Sequence, residues 1–227
     1  CINNLRQIGI GLKLYVDDNN SVFPANKVVD TNLQLKAVWP VLGGYDPKEP
    51  YSRAFATATR RPLHSYLPPS KVFKCPSDKG QQRFLEEEVP ATKPSNFSTV
   101  GCSYHYNGGV LVPCIPANDA TKEFLGGRPE SWVENPDRYI VMHEPPARVY
   151  SDPAGKSETH MWWYQWHKSR GRGDIEDPIY ALRRFFSPVL FADGHVRIHN
   201  FSRALTENPS NPYQPTKDWI WFQAKKD

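Results

Sequence analysis

His143, Glu144, His167, Asp193 and His195 are the residues of this chain whose types could hold or polarise a divalent cation. Imidazole nitrogens and carboxylate oxygens are ordinary zinc ligands. These five lie on or beside segments that read as strands, where a sheet can gather residues distant in sequence. They form the candidate metal or ligand set, although their spacing fixes no distance between them. A His beside a hairpin turn also has an ordinary structural role, hydrogen-bonded or solvated. A zinc-protease helix is excluded: His143-Glu144 would need a second His at position 147, which is Ala147, and Pro145-Pro146 would break the helix. A phosphate loop is excluded too, because Gly155-Lys156-Ser157 has Tyr150 where the leading Gly must stand. No Ser/His/Asp or Cys/His grouping has the local sequence support of a nucleophilic site. The expectation is a protein with no catalytic residues and no cofactor.

Four cysteines, Cys1, Cys75, Cys102 and Cys114, include no C-x-x-C pair. That argues against a zinc ribbon or a thioredoxin-type site and leaves disulfides or reduced thiols. Three pairings are open, and Cys102 and Cys114 are near enough in sequence to close a short loop across a hairpin. The run Trp162-Trp163-Tyr164-Gln165-Trp166, flanked by His167, Lys168, Arg170 and Arg172, has the groups to stack a base or a sugar ring. Alternation on a strand instead sends Trp162, Tyr164 and Trp166 to one face, where they serve the core or a subunit contact. A net charge of +4 is too small a surplus to point to nucleic acid, and no such partner is expected.

The elements that must position these residues are short. With 22 Pro and 14 Gly in 227 residues, long uninterrupted helices have little room. The exception is the start, where Ile2, Leu5, Ile8, Leu12 and Tyr15 recur at steps of three and four, with Ile10 and Val16 at the margins. This pattern predicts an amphipathic helix that Asp17-Asp18-Asn19-Asn20 and Pro24 stop. Gly9 and Gly11 weaken it, so it must lean on a sheet. Strands are predicted at Ser103–Tyr106, Val110–Val112, Tyr139–His143 and Val189–Ala192. Asn107-Gly108-Gly109 joins the first two, and Asp193-Gly194 makes a two-residue type I′ turn from the last into His195–His199. One α+β domain over 1–227 follows, divided into a helix at 1–20, an irregular region at 21–100, a sheet region at 101–200 and a carboxyl-terminal tail at 201–227.

Cys1-Ile2-Asn3-Asn4-Leu5-Arg6-Gln7-Ile8-Gly9, followed by Tyr15, Asp18-Asn19-Asn20 and Phe23-Pro24, resembles a segment of type IV pilin-like proteins. It is the segment just after the membrane-spanning half of their first helix, and the nearest likeness is the pseudopilin-like group with prepilin-type cleavage and methylation signals. Further matches follow in order: Phe73-Lys74-Cys75-Pro76-Ser77-Asp78, Ser103-Tyr104-His105-Tyr106-Asn107, Glu134-Asn135-Pro136, and Leu190-Phe191-Ala192-Asp193-Gly194-His195-Val196. Together they span nearly the whole chain.

The resemblance implies a pilin-like fold, one helix packed on an antiparallel sheet with long Pro-rich loops. Leu5, Ile8, Leu12 and Tyr15 would bury against the sheet, and Asp193 and Gly194 would build its hairpin. It implies a non-enzymatic subunit of a type II secretion or type IV pilus-related assembly, anchored at the periplasmic face of a bacterial inner membrane. Its partners would be other pilin or pseudopilin subunits through the helix, and the membrane through an apolar segment upstream of residues 1–20. An exported head permits oxidation, and on this reading Cys1–Cys75 and Cys102–Cys114 are the favoured pairs. Related sequences often carry a His ten residues before the Asp-Gly turn, where this chain has Arg183, so Lys168–Arg184 reads as an insertion. Calcium is not expected, because the tail carries only Glu207, Asp218 and Asp227 as acids. The rival expectation is an extracytoplasmic ligand- or metal-binding protein, hydrolytic or not, presenting His143, His167, Asp193 and His195 on the same scaffold.

Overall fold

A computed structural model of the protein describes residues 1–29, 32–38, 41–49, 51–78, 82–83, 95–109, 122–144, 162–163, 186–200 and 215–225. Among them are helices α1 (Ile2–Asp18) and α2 (Asn96–Val100). The strands are β1 (Lys27–Val29), β2 (Leu35–Ala37), β3 (Gln82–Arg83), β4 (His105–Tyr106), β5 (Lys122–Glu123), β6 (Ile140–His143), β7 (Trp162–Trp163), β8 (Phe186–Phe191), β9 (Val196–Asn200) and β10 (Gln223–Ala224). The main sheet is antiparallel with strand order β4-β6-β8-β9, and β1-β2, β5-β10 and β3-β7 form separate antiparallel pairs. The class is α+β, one long amino-terminal helix with antiparallel sheets.

α1 has no side-chain cap at its start and two internal glycines, so its stability comes from packing on β8 and β9. Leu5, Ile8, Leu12 and Val16 are buried there, each contributing about 1.5–3 kcal/mol. Val16, expected at the margin, belongs to the core at 1 % exposure, and Tyr15, expected inside, is half-buried with its ring edge-on to Tyr66. The glycines are explained by proximity. A Cβ on Gly9 would stand 2.9 Å from Leu190 Cδ1, and one on Gly11 would stand 2.6 Å from Leu67 Cδ1. The helix ends at Asp18, where Asn20 and Ser21 take left-handed backbone conformations and Asn19 Nδ2 donates to the Tyr15 carbonyl.

The β8–β9 hairpin exists, but its turn differs from expectation. Leu190 faces Val196 and the Phe191 N–H donates to the His195 carbonyl, which leaves three residues in the loop, Ala192-Asp193-Gly194. A type I′ turn needs positive φ at both centres, and here only Gly194 has it, at +88°. Gly194 N–H donates to the Phe191 carbonyl at 3.0 Å, closing a type I turn in which Gly194 is the left-handed bulge residue. The cause lies in Asp193, whose carboxylate accepts from the His195 backbone N–H at 3.0 Å, a local bond that shapes the turn. The expected strand at Ser103–Tyr106 is shorter, and β4 pairs with β6. Val110–Val112, Cys114, His167 and Lys168–Arg184 lie outside the described residues, as do Tyr164–Trp166 of the aromatic run, whose Trp162–Trp163 form β7.

Residues 215–225 pack against the rest of the fold. Trp219, Ile220, Trp221 and Phe222 are buried, and β10 pairs with β5. Trp219 stacks on His199 at 4.9 Å between ring centres, and Trp221 meets His143 at 5.1 Å. Burial, reinforced by the Arg197 charge and opposed by Asp218, pushes the His199 imidazole down from 6.5 to about 4. The folded state therefore holds it neutral, while the unfolded chain takes up a proton below pH 6.5. Stability from this residue is complete above pH 6.5, declines by up to about 1.4 kcal/mol per pH unit below it, and is about 3 kcal/mol lower by pH 4. Urea unfolding at pH 7, 5.5 and 4.5 should show that decline in the parent and a flatter one in His199→Gln. Equal slopes would refute it.

Candidate functional site

Three segments singled out in the sequence, Cys1–Gly9, Phe73–Asp78 and Ser103–Asn107, meet at the amino-terminal end of α1. Asn4, one turn into the helix, donates from Nδ2 to the Lys74 carbonyl at 2.9 Å and to the Tyr104 hydroxyl at 3.1 Å. Cys1 Sγ lies 2.6 Å from Cys75 Sγ. Glu144, just past β6, brings a carboxylate oxygen within 4.8 Å of both sulfurs. Among the described residues this is the only set of three or more His, Cys, Asp or Glu side chains whose ligand atoms come so close together. Cys75, Tyr104 and Glu144 are fully buried, and Cys1 is half-buried at the mouth of the cluster.

Local sequence explains how each group is held. Phe73 is buried as the last residue of a 3₁₀ turn, which delivers Cys75 to the interior. Asp78 then anchors the following segment: its carboxylate accepts from the Asn96 and Phe97 backbone N–H groups and from Ser103 Oγ at 2.7 Å. That bond sets Tyr104 one residue on. Asn107 ends the same stretch by donating from Nδ2 to the Ile140 carbonyl at 2.8 Å and the Trp221 carbonyl at 2.9 Å, tying β4 to β6 and to the carboxyl-terminal segment. The environment disfavours charge. Burial first, then the Glu144 carboxylate, holds the Cys75 thiol well above its ordinary range, and burial with the neighbouring Cys75 and Glu144 does the same to the Tyr104 hydroxyl.

The residues expected to form a cation site are not brought together, as far as they are described. His143 is buried, with Nδ1 2.6 Å from the Glu144 backbone carbonyl and its ring against His105 and Trp221. Asp193 and His195 sit at the hairpin tip and engage each other, Oδ1 to Nδ1 at 2.6 Å, with His195 stacked on Phe191 at 4.4 Å. Glu144 is the one member of the set that joins a cluster, and its companions are cysteines. The sequence signal for that grouping was the presence of Cys1 and Cys75 in two motifs of one family resemblance. Cys102 is a fully buried free thiol that donates to the Tyr104 carbonyl, and burial pushes it up to about 12.

A concavity of about 340 Å³ lies beside β5 and is lined by Asn26, Gly108, Lys122, Phe124, Arg128 and Lys225. Asn26 Oδ1 is enclosed there with no donor among the described residues, while Arg128 is paired with Glu123 at 2.9 Å. No described helix is long and apolar enough to cross a membrane. Comparisons with protein-family models, with curated proteins and with solved structures find no match to the chain.

Proposed function

We propose that the chain is the head and lower helix of a non-enzymatic pilin- or pseudopilin-like subunit. It would belong to a type II secretion or type IV pilus-related assembly on the extracytoplasmic face of a bacterial inner membrane. In this reading α1 continues upstream as an apolar membrane segment, and its partners are other subunits of the same kind. The observation that carries the reading is the two-sidedness of α1. Leu5, Ile8, Leu12 and Val16 are buried on the sheet, while Ile10 and Leu14, one turn apart, stand 64 % and 51 % exposed. A bare apolar pair on a helix already docked along its other side is what lateral packing against neighbouring helices uses.

Replacing both residues, Ile10→Glu with Leu14→Glu, tests it in the membrane-anchored protein. Circular dichroism and melting should stay close to the parent, since exposed substitutions change stability by about 0.5 kcal/mol or less. Subunit-to-subunit cross-linking in cells should fall about tenfold. Unchanged cross-linking would end the assembly reading. A second reading, a ligand-binding head on the same scaffold, draws on the cleft beside Lys122, Arg128 and Lys225. The same double substitution leaves that cleft intact and would leave its function intact.

A further inference from the structure

We propose that Cys1 and Cys75 form a disulfide that latches the base of α1 to the loop ahead of Asp78, with the Glu144 carboxylate taking the proton of Cys75 as the bond closes. The sulfurs lie 2.6 Å apart. Two thiolates on one tetrahedral zinc ion would stand about 3.8 Å apart, so the arrangement suits a covalent pair better than a shared metal. Asn4 supplies the positioning: its bonds to the Lys74 carbonyl and the Tyr104 hydroxyl fix the first turn of α1 against the residue preceding Cys75. A Cys1–Cys75 bond requires no filament assembly, and the oxidation state of the two thiols is independent of subunit cross-linking.

The chemistry is thiol–disulfide exchange with a dialkyl disulfide as oxidant. Cys1 is half-buried and reachable, whereas Cys75 is fully enclosed. Cys1 thiolate attacks the incoming disulfide, forming a mixed disulfide and releasing one thiolate. Cys75 passes its proton to Glu144, whose carboxylate oxygen lies within 4.8 Å of that sulfur, and attacks Cys1 Sγ, releasing the second thiolate. Two protein thiols are oxidised by two electrons, and the co-reactant is reduced to two thiols, which take up the two protons. Opening the bond again would require a reductant to attack Cys1 while Cys75 leaves. A buried thiol beside a carboxylate is a poor leaving group, so the closed form resists reduction.

The full chain, reduced and then equilibrated with excess oxidised glutathione while folded, should yield a Cys1–Cys75 linked peptide after alkylation and digestion. In Cys1→Ser, a half-buried position whose replacement leaves the core intact, oxidation should no longer raise the melting temperature as it does in the parent. Glu144→Gln should close the bond from the Cys1–glutathione intermediate about tenfold more slowly at pH 7 and reach the same final oxidised fraction. Three results would overturn the proposal: both thiols still alkylated after equilibration in a protein that circular dichroism shows folded, either cysteine linked elsewhere, or one equivalent of zinc that shields both until a chelator removes it. Equal closure rates in Glu144→Gln and the parent would remove Glu144 from the step.

Discussion

Arg61→Met lowers the free energy of unfolding by about 3–5 kcal/mol, and Arg61→Lys recovers less than half of that loss. Arg61 is 2 % exposed, yet no carboxylate bonds to it among the described residues. Its guanidinium instead spreads three donors over three segments: Nε to the Ala56 carbonyl at 3.0 Å, Nη1 to Gly43 at 2.8 Å and Nη2 to Val100 at 2.8 Å. Val100 closes α2, where the helix end carries partial negative charge. Burial pushes the guanidinium down to about 10, so it stays charged at neutral pH and must be solvated by these carbonyls. A Met of similar length leaves all three acceptors enclosed without donors. A Lys ammonium is a single point and cannot reach carbonyls arrayed around a planar fork. Denaturant unfolding at pH 7 measures both, and a loss under about 1 kcal/mol for the Met variant would show the three bonds to be incidental.

Gly101→Ala costs at least about 3 kcal/mol and lowers the melting temperature by about 6–12 °C. Gly101 ends α2 in the left-handed conformation, φ +82°, which costs an Ala about 1–2 kcal/mol. The remainder is contact, because the new Cβ would stand 1.9 Å from the Tyr45 carbonyl oxygen. The opposing loop would have to retreat, breaking the bond from Tyr45 N–H to the Gly101 carbonyl and drawing Gly43 away from Arg61. The two substitutions damage one junction, so their combined effect should fall well short of the sum in a double-mutant cycle. Full additivity would mean that the loop moves without disturbing the guanidinium.

What could be read from the residues and what could not divides along physical lines. The period of Leu5, Ile8 and Leu12 records a helix lying on a surface, and local geometry is enough to decode it. Asp193-Gly194 records a chain reversal, but the choice between two and three loop residues turned on one side-chain bond of Asp193, which propensity does not contain. Arg61 was invisible, because a cation in a Pro-rich loop has the composition of the surface and only tertiary placement reveals its three acceptors. Trp219-Ile220-Trp221-Phe222 lay in a segment read as a tail although such density of apolar area seeks an interior. The cluster of Cys1, Cys75 and Glu144 draws on the start of α1, on the loop after a 3₁₀ turn and on the residue just past β6. Its cysteines stood in matched motifs, but Glu144 had been assigned to an imidazole set because it follows His143.

α1 also has a mechanical side. Its buried residues from Leu5 to Val16 run along about 17 Å of helix, with Asn4 fastened near one end and Lys13, bonded to Glu130, farther along. Tension applied along the axis from the amino-terminal end loads all of these contacts in parallel, in shear. A force at right angles would instead peel them away one turn at a time. The fold thus resists a pull along its helix best and is weakest when that helix is pried from the side.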